Sequence, residues 1–315
     1  MGNASTDRRS VVTVLGEAVV DLLPANDRGG FHAYAGGSPL NVAVALARLG
    51  EPTTLLARMS RSRFGQLLRA HAETNGVTLA GPLDQPEPAS LAVTSLDGDG
   101  VATYDFYLDG TADWQWSAPE LTLPPDTTAV HAGSLTCYRP PGAAAVADFL
   151  TRLHHDGDSL VSFDPNIRSS VITDLDEARE QTTRLLSTAH LVKASSEDLQ
   201  TLYPGRAVAH IAREWATLGP SLVVITLGAG GAYAVSANHE LRVPAPPITV
   251  VDTVGAGDAF TAGLLWALRS GDHATPAALP SLGRDRLAAI VEQASHVAGI
   301  TCTRPGADPP RQDEL

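Results

Sequence analysis

The stretch DTVGAGDAFTAG, residues 252–263, sets two acids around a glycine loop and follows them with small and apolar residues. Residues 248–252 are β-branched and predict a strand. Gly255 and Gly257 permit a tight turn, and residues 256–269 have the composition of a helix. A strand, glycine loop and helix in that order aim free N–H groups and the positive end of a helix dipole at one point. Such a point suits a phosphate whose charge is growing. An acid placed there, Asp258, opposes the phosphate unless it accepts a proton during the reaction. Taken alone, GAGD also reads as a helix start capped by aspartate. The stretch is neither a GxxxxGK[ST] phosphate loop nor a GxGxxG dinucleotide fingerprint.

The chain that must position this loop has 315 residues, 43% of them hydrophobic, which suffices for a large α/β core. Short β-branched runs alternate with longer amphipathic segments, which predicts a largely parallel sheet. Strands are expected over residues 11–16, 52–58, 128–134, 159–164, 190–195 and 221–228, and a helix ending at a glycine over 41–50. Two stretches break the rhythm. Residues 29–37 are short and glycine-bounded, and residues 90–110 read as a hairpin turning at 97–100. Both predict a small β lid over the main sheet. A net charge of −13 argues against nucleic acid and anionic membrane as partners, while a local nest of N–H groups still accommodates an anion. No apolar run approaches the ~20 residues of a membrane span. Cys137 and Cys302 stand in no CxxC or zinc spacing, so neither a disulfide nor a structural metal is expected. A reducing cytoplasm is the expected location, and residues 1–10 lack the apolar core of a signal peptide.

D-T-x-G-A-G-D, followed by small residues and an Ala-Gly pair, resembles the C-terminal signature of the PfkB (ribokinase-like) carbohydrate kinase family, and every position fits. The resemblance implies that Asp258 is the catalytic base and that Gly255, Ala256 and Gly257 form an anion hole. The acid then faces the acceptor hydroxyl while the N–H groups face the phosphate. The resemblance covers residues 12–309. It implies a ribokinase-like three-layer α/β sandwich with a mainly parallel central sheet, in one kinase domain over residues 1–315. Its lid would come from segments around 17–37 and 88–112.

Other segments resemble further parts of that family. GEAVVDLLP (16–24) and AGGSPLNVAVALARLG (35–50) are similar to its sugar-binding segments. The match puts Asp21 and Asn41 on sugar hydroxyls, and Gly36 and Gly37 where backbone approaches the sugar closely. SFDPNIR (162–168) matches the D-P-N-x-R of the fructokinase and 2-keto-3-deoxygluconate kinase branches, with Arg168 on the substrate or the transferring phosphate. VKASSEDL (192–199) falls where ribokinases carry Asn-x-x-Glu. Ser195 takes the asparagine position, a departure, and Asp198 the glutamate position. Asp198, with Glu197 as second choice, is thereby implied to hold hydrated Mg²⁺. Lys193 reads equally as a nucleotide-phosphate contact or a strand-edge surface lysine. VVITLGAGGAYAV (223–235) resembles the nucleotide-binding strand–turn–strand, which places Thr226, Gly228 and Gly230 along ATP. QASHVAGITCTRPGADP (293–309) resembles the region flanking adenine, with Ser295 and His296 as contacts. Asp252 and Thr253 sit where relatives bind potassium.

The acceptor is read from the lid. YDFYLDGTADWQW (104–116) offers Tyr104 and Phe106 to a sugar face and contains no arginine. Asp105 stands in the neighbourhood where 2-keto-3-deoxygluconate kinases usually place one, and an acid there disfavours an anionic acceptor by like-charge repulsion. A neutral hexose follows, with fructose first because residues 16–24, 36–50 and 164–168 look fructokinase-like. Trp114 and Trp116 are expected to pack beneath the lid. The alternatives are 2-keto-3-deoxygluconate, ribose or a nucleoside as acceptor, and a non-catalytic sugar sensor. The resemblance further implies a homodimer through the lid as an option.

Overall fold

The computed structural model describes residues 10–25, 30–96 and 102–315, with the side chains at 96 and 102–104 left aside. In chain order the elements are β1 (Val11–Leu15), β2 (Val19–Pro24), β3 (Phe31–Gly36), α1 (Ser38–Arg48), β4 (Thr53–Leu56), α2 (Arg63–Thr74), β5 (Thr78–Ala80), β6 (Leu91–Leu96) and β7 (Ala102–Tyr107). Then come β8 (Thr127–Gly133), α3 (Ala143–Asp156), β9 (Leu160–Asp164), α4 (Leu175–Leu186), β10 (Leu191–Ser195), α5 (Ser196–Leu202) and α6 (Val208–Ala216). The chain finishes with β11 (Leu222–Thr226), β12 (Ala232–Ser236), β13 (Glu240–Val243), α7 (Ala256–Ser270) and α8 (Arg284–Cys302).

Nine strands form the main sheet in the order β13-β12-β11-β10-β9-β8-β1-β4-β5. Pairing is parallel from β11 to β5, and only β12 runs against its neighbours. Successive residues of a strand point to opposite faces, so these runs must be apolar on both sides. Val12 and Val14 of β1 and Val224 of β11 enter a core with α1, α7 and α8. Leu15, Val223 and Ile225 enter a second core with α3, α4 and α6. The result is helix, sheet, helix, as expected. Chemistry in such a sheet collects beyond the C-terminal strand ends, where Gly16, Asp164, Ser195 and Thr226 fall.

A second sheet of four strands, in the order β3-β2-β6-β7, stands over those ends. It uses the segments predicted for a lid. β6 and β7 pair antiparallel from Leu91↔Tyr107 to Leu96↔Ala102, and their turn at 97–100 lies outside the described residues. α1 stops at Arg48, and Gly50 at φ 85 turns the chain away, as expected of a glycine past a helix end.

One predicted element does not form. Residues 248–252 pair with no strand, and only the Val251 and Asp252 N–H groups reach a carbonyl, that of Cys302. Pro244, Pro246 and Pro247 just before them offer no N–H to a ladder. Ile248 and Val250 are exposed and line a cleft instead of a core.

Candidate active site

The cleft lies between the main-sheet strand ends and the small sheet, with a volume of about 1600 Å³. Asp258 sits within it on the first turn of α7. It does not cap the helix: Gly255 holds that position at φ 74, and no side chain caps it. The Asp258 carboxylate instead accepts from Ser38 Oγ (2.6 Å) and Asn41 Nδ2 (2.8 Å), both on α1. α7 and α1 pack together, so two helices that share a core also bring these groups together. Burial raises the Asp258 pKa, against hydrogen bonds from Ser38 and Asn41 and the charges of Lys193 and Arg168. A base with a raised pKa is a stronger proton acceptor once its water is removed. Ser38 was not foreseen from sequence. Its signal was the position between the glycine pair and Pro39, which begins the helix.

Gly255, Ala256 and Gly257 bound the start of α7, where first-turn N–H groups lack helical acceptors. The Ala256 N–H is engaged with Thr253 O at 3.2 Å, which leaves the glycines as the freer donors. A Cβ on Gly255 would sit 2.6 Å from the Ala307 Cβ, so only glycine fits both the turn and its neighbour.

On the acceptor side, Asp21, Gly36, Gly37, Asn41, Phe106 and Arg168 all line the cleft. The Asp21 pKa is pushed up to about 6 by burial alone. Gly36 pairs with Val19, diagonal to Asp21, and a Cβ there would collide with Asp21 Oδ2. Gly37 precedes α1 at φ 98. Asn41 lies in the first turn of α1 and is not its cap. Arg168 is exposed on the wall and close enough to favour the Asp258 charge. The Tyr104 side chain lies outside the described residues.

Asp105 must be corrected. It is exposed on β7 opposite Val93, and the alternation that turns Phe106 into the cleft turns Asp105 away. The repulsion argument therefore fails for that residue. The residues of the small sheet that line the cleft, among them Val19, Asp21, Tyr34, Ala92, Thr94 and Phe106, still include no cation. Trp114 and Trp116 are buried, as expected.

Two further acids, unassigned from sequence, secure the junction of the sheets. Glu17 accepts from Thr136 N (3.1 Å) and Oγ1 (2.6 Å). Asp113 accepts from Ala18 N (3.0 Å) and Ser90 Oγ (2.7 Å). Burial raises both pKa values, that of Asp113 to about 6.

On the nucleotide side, Thr226, Gly228 and Ser295 line the cleft. The Ser295 hydroxyl donates to Val291 O, so it offers surface more than a free donor. Gly230 is not on the wall. Its N–H closes a turn on Leu227 O (2.9 Å), and Ala229 and Gly231 line the cleft in its place. His296 is exposed on α8 away from the cleft. Lys193 is no surface lysine: β10 is an interior strand, and the ammonium is buried against Asp164 at 2.8 Å. Burial works against its charge, but Asp164, Asp198 and Asp258 together raise its pKa.

Asp198 is largely occupied. Its carboxylate accepts from Ser195 N (2.8 Å), Ser195 Oγ (2.7 Å) and Ile167 N (2.7 Å). Glu197 is exposed on the cleft and meets only Ser196 Oγ at 3.2 Å. Glu197 is thus the more open of the two carboxylates. Among the described residues no cluster of three or more His, Cys, Asp or Glu could hold a metal. Asp252 accepts from Val254 N (3.0 Å) and Gly306 N (2.8 Å), and Thr253 lies beside it on the wall. Burial pulls the Asp252 pKa up, but the backbone donors hold it below the usual value. Cys137 and Cys302 are both free.

The model of the pfkB family carbohydrate kinases matches residues 10–314. The chain belongs to this family. A fructokinase of Rhizobium leguminosarum bv. trifolii is 34% identical over 281 residues, which span 88% of this chain and 85% of that protein. The structure of a Vibrio cholerae O395 fructokinase variant with fructose, ADP and potassium ion superposes at a TM-score of 0.81 and 27% identity. It covers 96% of this chain and 95% of that one. A Salmonella enterica aminoimidazole riboside kinase with its riboside and an ATP analogue gives 0.80 and 28%, covering 95% of each chain. The fold is accordingly that of the PfkB kinases, with phosphotransfer chemistry. No helix among the described residues is long and apolar enough to cross a membrane.

Proposed function

We propose that this PfkB kinase transfers the γ-phosphoryl group of ATP to a hydroxyl of a neutral hexose, with fructose first. The observation that carries the reading is Asp258, half-buried on the first turn of α7 and oriented by Ser38 and Asn41. Asp21 and the free face of Asn41 hold the sugar hydroxyls, and Phe106 covers the ring. Asp258 takes the proton of the attacking hydroxyl as its oxygen bonds to phosphorus. The Gly255–Gly257 loop, Lys193 and Arg168 meet the charge on the transferred group. Thr226, Gly228 and the Ser295 surface border the nucleotide.

Glu197, with Asp198 behind it, suits a magnesium ion that keeps most of its waters. When bound, that ion neutralises charge on the nucleotide phosphates. Asp252 and Thr253 are the residues proposed for potassium. The small sheet acts as a lid on one kinase domain. Phe31 and Tyr107, exposed on that sheet and outside the cleft, support a homodimer through it. Work in the cytoplasm agrees with the two free thiols.

The test is ADP release from MgATP, with potassium present, across fructose, glucose, ribose, 2-keto-3-deoxygluconate and adenosine. Preferred turnover of fructose supports the reading. The keto acid is the second reading: Asp105 faces away from the cleft, and Arg168 on its wall is a cation able to meet a carboxylate. Binding of sugars without ADP release would point to the sensor.

A further inference from the structure

Lys193 is the only lysine in the chain, against 22 lysines and arginines together. It stands where charge matters: a Cβ at Gly257 would lie 3.1 Å from its Nζ. Asp164, at the end of β9, is its ion-pair partner and is 2% exposed. No step above uses Asp164. We propose that Asp164 is a positioning residue that keeps the Lys193 ammonium charged and aimed at the phosphate held by the α7 loop. This rests on the reading of Lys193 as a phosphate contact.

One carboxylate joins three elements. Its Oδ2 accepts from Lys193 Nζ on β10 and, at 3.5 Å, from Thr261 Oγ1 on α7. Its Oδ1 accepts from Asn166 N at 3.1 Å. The groups facing Lys193 are Asp164 from β9, Asp198 from α5, Asp258 from α7 and His131 from β8. Burial, with Lys193 adding to it, lowers His131 to about 3, so the imidazole is neutral. β11 places Val224 beside the lysine. Of the acids, only Asp164 hydrogen-bonds Nζ. Asp198 is held by Ser195 and Ile167, and Asp258 by Ser38 and Asn41. A buried ammonium that loses its counter-ion gives up its proton more easily.

A single lysine makes the test direct. Protein labelled with ¹³C at the lysine Cε gives one lysine resonance, which in the wild type titrates above the ordinary lysine range because the surrounding carboxylates outweigh burial. In Asp164→Asn its midpoint should fall by about 1–3 pH units. ADP formation with the preferred sugar should gain an alkaline limb at the same pH. Lys193→Met should lower kcat with no such limb, and the double variant should be no worse than Lys193→Met. An unmoved resonance overturns the proposal. A shifted resonance with wild-type turnover in Lys193→Met also overturns it, and locates the failure in the role given to the lysine. If Asp164→Asn does not fold, the double variant removes the unpaired charge and should fold. A double variant that stays unfolded overturns the proposal, because Asp164 would then serve the Asn166 turn and not Lys193.

Discussion

Asp21→Asn should make the protein more stable and the enzyme worse. Burial alone lifts the Asp21 carboxyl from its ordinary 3.8 to about 6. At 1.36 kcal/mol per pH unit, that gap corresponds to about 3 kcal/mol. The carboxylate opens onto the cleft, and solvent there reduces the figure to roughly 1–2 kcal/mol. The sign follows from the raised value: the stability at stake is present below 3.8 and lost as pH rises through about 6. The neutral amide escapes that loss. Scanning calorimetry of the ligand-free protein at pH 7.5 should show Tm higher by roughly 1.5–3 °C in the variant. The difference should shrink below pH 6 and vanish near pH 4. A charged acceptor lost from a sugar hydroxyl removes about 1.5–3 kcal/mol of binding. The sugar KM should therefore rise roughly 10–150-fold while the ATP KM holds. A variant no more stable at pH 7.5, or a difference that widens in acid, would refute the desolvated Asp21.

Gly36→Ala drives a methyl into Asp21 Oδ2, so steady-state kinetics should show a raised sugar KM with an unchanged ATP KM. Gly255→Ala forces an alanine to φ 74 against Ala307. Strain of about 1–3 kcal/mol should open the anion hole, seen as a fall in kcat larger than any change in either KM. Ser38→Ala removes a 2.6 Å hydrogen bond that lowers the Asp258 pKa. The pKa then climbs further, the base form is lost at a higher pH, and the acid limb of the kcat profile should move upward.

Local chemistry made the strands of the main sheet and the α7 loop legible. Runs such as residues 222–226 are apolar on both faces because both faces are covered, and a glycine loop before a helix has few other uses. The same rule misled at 248–252, where β-branched residues line a cleft after three prolines. Asp105 and Phe106 differ by one position, and only the register of β7 says which of them faces the sugar. Lys193 could be read two ways because sequence does not reveal that β10 is an interior strand. Ser38, Asp164 and the occupied state of Asp198 depend on partners 220, 29 and 31 residues away, and no motif records those distances.

That Asp258 takes the acceptor proton is tested most directly by Asp258→Asn, measured for both turnover and binding. ADP formation with fructose should fall by at least roughly 10²–10⁴-fold. Calorimetric titration should still find sugar and ATP binding within a few-fold of the wild type, since the amide keeps the pocket's shape. Turnover near that of the wild type would contradict the assignment of Asp258 as the base.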